Sequence, residues 1–69
     1  MNLIQLIERE LSNTKHQHEL AKSETEYSLN AYGSKSDQYE YAKTRELIRW
    51  KMCEFLSGIL EQTKKEMPQ

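Results

Sequence analysis

Sixty-nine residues with 36% hydrophobic and 30% charged side chains, at a net charge of −1, define one small domain with little material for a core. A chain this short needs disulfides, a metal or oligomerisation to be stable. Its one cysteine excludes an internal disulfide and its two histidines are too few and too scattered for a metal staple, so self-association is the expected support. The near-neutral charge argues against a dedicated nucleic-acid binder or a polybasic membrane anchor.

The opening residues, MNLIQLIERELSN, carry acidic side chains where a secretory signal would continue its apolar stretch. No apolar run approaches the roughly 20 residues of a membrane-spanning helix. The lone Cys53 fits a reducing compartment. These features together lead to the expectation of a cytoplasmic protein.

Asn2 is a good helix N-cap, and Gln5 three residues later completes a capping-box pattern. From there Leu3, Ile4, Ile7, Leu11, Thr14, His18, Ala21, Thr25, Leu29 and Tyr32 recur at spacings of three and four. That periodicity predicts one stripe on a helix over residues 2–32. The stripe is aliphatic at its start and polar in its middle. Gly33 follows as a residue able to take positive φ and close the helix.

Ser34-Lys35-Ser36-Asp37 offers several N-caps, with Asp37 and Glu40 forming a second capping-box pattern. Helix, glycine, short polar turn and helix make the plan of an αα-hairpin. The turn is expected at 33–36 and the second helix over about 36–66, with Pro68 unable to continue it. All of residues 1–69 then form a single helical-hairpin domain.

The densest apolar periodicity lies in RELIRWKMCEFLSGILEQT, residues 45–63, where Ile48, Met52, Phe55 and Ile59 form one stripe. Folding two arms of roughly 45 Å antiparallel about the turn sets this stripe against Ile7, Leu11, His18 and Ala21. Those eight side chains are the expected hairpin core, with small residues facing large ones. Leu56 and Leu60 lie about 60–100° round the second helix, and Leu20 and Tyr27 form a side stripe on the first. Covering these flanks calls for a second hairpin. The expected fold is therefore all-α, an antiparallel hairpin dimerising into a four-helix bundle.

Trp50 and Tyr39 point away from the Ile48–Ile59 stripe, with Cys53 bordering them. Tryptophan and tyrosine dominate interface hot spots. Tyr39, Trp50, Cys53, Leu56, Leu60, Leu20 and Tyr27 are accordingly the expected oligomer or partner interface. Tyr27, Tyr32, Tyr39 and Tyr41 should gather at the closed end of the hairpin. Read linearly, Lys43 to Lys51 suggests a basic-aromatic nucleic-acid motif, but on a helix Lys43, Arg45, Arg49 and Lys51 diverge among glutamates. Pairs such as Arg45 with Glu24 or Glu26 are the expectation there. His16 and His18 point about 200° apart, so one helix cannot offer both to a metal. No nucleophile, catalytic group, cofactor site or metal site is expected.

In length and hairpin plan the chain is similar to the plasmid RNA-binding protein Rop, a dimeric four-helix bundle; the similarity is of architecture and not of motif. The Ser-x-x-x-Asp motif of the small aspartyl-phosphate phosphatases is absent, since the Ser34 and Ser36 frames end in Gln38 and Glu40. The functional expectation is a non-enzymatic protein–protein interaction module, a homodimer that docks a helical face on a larger protein. A regulator or inhibitor of the kind made by phages and mobile elements would fit. The alternative is a Rop-like dimeric nucleic-acid-binding regulator.

Overall fold

The computed structural model describes residues 2–66; Pro68 and its proposed helix stop lie outside the described residues. Two helices of equal length, α1 (Leu3–Tyr32) and α2 (Asp37–Glu66), pack antiparallel as a hairpin. The molecule measures 50 × 17 × 11 Å and its radius of gyration is 15.6 Å. A compact domain of this length would have a radius near 11 Å. The hairpin is a rod, one seam deep.

The start of α1 and both ends of the turn are fixed by local chemistry. The Asn2–Gln5 capping box forms in full: the Gln5 amide donates to Asn2 Oδ1 at 2.8 Å and the Asn2 amide to Gln5 Oε1 at 3.1 Å. Gly33 closes α1 by donating its amide to the Leu29 carbonyl at 3.0 Å. Its φ of 90° and ψ of 163° lie beyond the left-handed helical region, in backbone space that is essentially glycine's alone. Ser36, and not Asp37, caps α2. Its hydroxyl accepts from the Tyr39 amide at 3.1 Å and donates to the Gly33 carbonyl at 2.7 Å. Asp37 and Glu40 instead stand in the first turn of α2, where negative charge favours the helix dipole.

The seam follows a strict heptad on each helix. In α1 the positions withdrawn from solvent are Ile4, Ile7, Leu11, Thr14, His18, Ala21, Thr25 and Ser28. In α2 they are Tyr39, Ala42, Glu46, Arg49, Cys53, Leu56, Leu60 and Thr63, joined by Arg45 and Ile59 at the margin. Spacings of three and four alternating without a break give the 3.5-residue repeat of a left-handed supercoiled pair. The Thr25 hydroxyl donates to the Ala42 carbonyl at 3.1 Å and Arg45 pairs with Glu24 at 3.0 Å. Residue numbers facing one another therefore add to between 67 and 69.

The level of the two arms agrees with the sequence expectation, but α2 is turned by about one residue step, roughly 100°. Ile48, Met52 and Phe55 do not pack against α1: Ile48 is 53% and Phe55 68% exposed. Tyr39, Cys53, Leu56 and Leu60, expected on an outer face, line the hairpin seam instead. The physical reason is the close approach at Ala21, Thr25 and Ala42. The single Thr25 hydroxyl proton is shared between its own Ala21 carbonyl at 2.9 Å and the Ala42 carbonyl of the other helix at 3.1 Å. Only a residue as small as alanine at position 42 leaves room for that bond. The alternative rotation would put Tyr41 there.

The two glycines give opposite predictions in urea unfolding at fixed protein concentration. Gly33→Ala should destabilise by about 1–3 kcal/mol, because a Cβ meets no atom there but the backbone conformation opposes it. Gly58→Ala, mid-helix and facing open space, should stabilise by roughly 0.5–1 kcal/mol.

Candidate interaction faces

A heptad seam leaves each helix two flanks, and in this hairpin they differ in chemistry. On one side α2 presents Tyr41, Ile48, Met52, Phe55 and Ile59, while α1 presents Leu3, Leu6, Leu20, Tyr27 and Ala31. Most of these are large and exposed, Met52 and Leu6 least among them and Phe55 most. The Arg45–Glu24 ion pair crosses the same side, with both side chains about half exposed. Arg45 also sits 5.8 Å from the Tyr41 ring centroid. This is the apolar flank.

The opposite flank is charged. From α1 it carries Glu8, Lys15, Glu19, Lys22 and Glu26, and from α2 Glu40, Lys43, Glu54 and Glu61. Trp50, Leu47 and, nearer the turn, Leu29 interrupt it. Trp50 is 43% exposed and borders an open depression of about 450 Å³ lined also by His18, Glu40, Lys43, Glu46 and Leu47. Lys51 Nζ lies 4.9 Å from the Trp50 ring centroid, and Lys43 Nζ 5.7 Å from that of Tyr39. Trp50 thus stands outside the seam as the sequence suggests, but on a different side from Leu20 and Tyr27.

At the closed end, Tyr27 and Tyr32 meet edge to face with centroids 6.4 Å apart, while Tyr39 turns into the seam. Cys53 is a free thiol, half-buried between the helices. The buried hydroxyls are internally satisfied: Thr14 donates to the Glu10 carbonyl at 2.8 Å, and among the described residues no buried polar side-chain atom lacks a hydrogen-bond partner. Of the expected core, Ile7, Leu11 and Ala21 are buried, and His18 and Ile59 are half-buried. Among the described residues no group of three or more His, Cys, Asp or Glu side chains is placed to hold a metal ion. Nor is any helix there long and apolar enough to cross a membrane.

The division of α2 into a seam of small or polar residues and an outer stripe of larger ones was not found by hydrophobicity alone. The signal that identifies it is the unbroken 3-4 spacing from Tyr39 to Thr63, which matches the spacing in α1 position for position. Comparison of the chain with protein-family models, curated proteins and solved structures gives no match.

Packing separates the residues by consequence. Leu11→Ala should cost about 2–5 kcal/mol in chemical unfolding. Glu24→Gln should cost less than about 1 kcal/mol, because its ion pair with Arg45 is solvent-exposed.

Proposed function

We propose that the chain is a protein–protein interaction module: two hairpins associate into a four-helix bundle, and the bundle docks on a larger protein as a regulator or inhibitor. One observation carries the reading. The largest apolar side chains of α2 lie outside the packed seam, on two separate sides of the rod. Exposed apolar surface in a continuous stripe marks an interaction site. Here the stripe of Ile48, Met52 and Phe55 is broad enough for a sister hairpin. Trp50 and Leu47, on the other flank, form the contact for a different molecule.

The Trp50 depression has the mixture that protein interfaces favour, an aromatic anchor within a polar rim of Glu40, Lys43 and Glu46. A Rop-like nucleic-acid role finds less support. Lys43 and Lys51 lie over aromatic rings of their own helix, and Arg49 turns toward the seam. A phosphate-binding strip needs several such charges aligned on one side.

Light scattering paired with acrylamide quenching of Trp50 fluorescence tests this reading. The expected result is a dimer mass with Trp50 quenched as readily as a half-exposed indole, and Trp50→Ala leaving mass and helix content unchanged. A monomer, or a dimer in which Trp50 is shielded, would overturn it.

A further inference from the structure

The solvent-accessible surface of the hairpin is 5374 Å². A folded monomer of its 8.2 kDa mass ordinarily exposes about 4,500 Å². The excess, on the order of 800 Å², equals what one partner buries in a standard protein interface. The excess reflects the thin rod, on which the apolar flank carries most of the exposed large apolar side chains.

That flank is also self-complementary. In α1 its outer apolar side chains pair about a centre close to Gln17, Leu6 with Tyr27 and Leu3 with Ala31, while Leu20 falls opposite Asn13. In α2 the midpoint falls between Lys51 and Met52, where Ile48 balances Phe55, while Tyr41 falls opposite the polar Gln62 and Ile59 opposite Thr44. The register of the hairpin places Gln17 level with these two residues. Both helices therefore share one centre of symmetry. A two-fold axis crossing the rod at this level would satisfy both at once.

Resting on the reading that the hairpin self-associates, we propose that the apolar flank is covered by a second copy of this chain running antiparallel, its turn at the opposite end of the bundle. Each α1 then lies along the partner's α1 and each α2 along the partner's α2. Phe55 packs on Ile48 of the partner subunit at both ends of a central Met52 layer. Leu6 packs on Tyr27 of the partner subunit. Glu10 comes level with the partner's Glu24–Arg45 pair, so that one guanidinium serves two carboxylates. A parallel dimer would match Ile48 with Leu20 and Tyr41 with Tyr27 of the partner subunit, but it would set Phe55 over Asn13 and Met52 over Gln17 of the partner subunit, burying the centre of the flank against amides. Only the antiparallel form sets Ile48, Met52 and Phe55 of the two copies against one another, and that decides for it.

Spin labels on Ser34→Cys in a Cys53→Ser background test the arrangement by dipolar distance measurement, with mass measured on the same sample. A dimer with a label separation near the 50 Å length of the rod is the expected result. A dimer with the labels closer than roughly 25 Å, as neighbouring helix ends would be, overturns the antiparallel form while self-association stands. A monomer mass overturns both. As a second measurement, Phe55→Ala should weaken dimerisation at least tenfold, and Leu47→Ala on the opposite flank should leave it unchanged. Equal effects from the two would place the interface elsewhere and overturn the proposal.

Discussion

The hydrogen bond from the Thr25 hydroxyl to the Ala42 carbonyl fixes the rotation of one helix against the other. A side chain that donates across to a partner's backbone demands that the helices come close, and close approach demands small residues around it. Ala21 and Ala42, with Ile4, are the most deeply buried residues of the seam, the two alanines at 3% and 5% exposure. Once α2 is turned so that Ala42 meets Thr25, the heptad carries Glu46, Arg49, Cys53, Leu56, Leu60 and Thr63 inward behind it. Everything else about the surface follows from that choice.

The seam so formed is thin. Its apolar burial rests chiefly on Ile4, Ile7 and Leu11 at the open end, and no large side chain there is fully buried. Toward the turn, threonine, serine, histidine and half-buried charged side chains take over. Such an interior specifies alignment better than it supplies stability. The apolar residues that could stabilise a larger core, Ile48, Met52 and Phe55, are kept on a flank where only another molecule can bury them. The opposite flank is mainly charged, with Trp50, Leu47 and Leu29 among its exposed side chains, so the two sides of the rod differ in chemistry.

Much of the architecture was legible in the sequence because local chemistry dictates it. Asn2 with Gln5, Gly33 after Tyr32 and the Ser36 turn mark the helix ends through hydrogen bonds between near neighbours. The α1 stripe was legible from Ile4 to Thr25, but Leu3, Leu29 and Tyr32, expected on it, are exposed, and Ser28 takes the seam position near the turn. In α2 two stripes share the same spacing about 100° apart, and greater hydrophobicity favours the wrong one. Choosing between them requires knowing that Thr25 reaches Ala42, a contact across 17 residues. Tyr39, Cys53, Leu56 and Leu60 were misplaced to the outside for that reason, and Ile48, Met52 and Phe55 to the inside. Trp50 escaped the error because it lies outside either stripe.

The rotation of α2 can be measured directly through the native thiol. Thr14 and Cys53 occupy facing seam positions at the register fixed by Thr25 and Ala42. Thr14→Cys should therefore close an intrachain disulfide with Cys53 under mild oxidation. Both thiols would be lost, and under denaturing, non-reducing conditions the protein would remain a single chain, lighter only by the two thiol hydrogens. Persistent free thiols, or cross-linking only between chains, would mean that Cys53 faces away from α1 and that the Ile48–Phe55 stripe fills the seam after all.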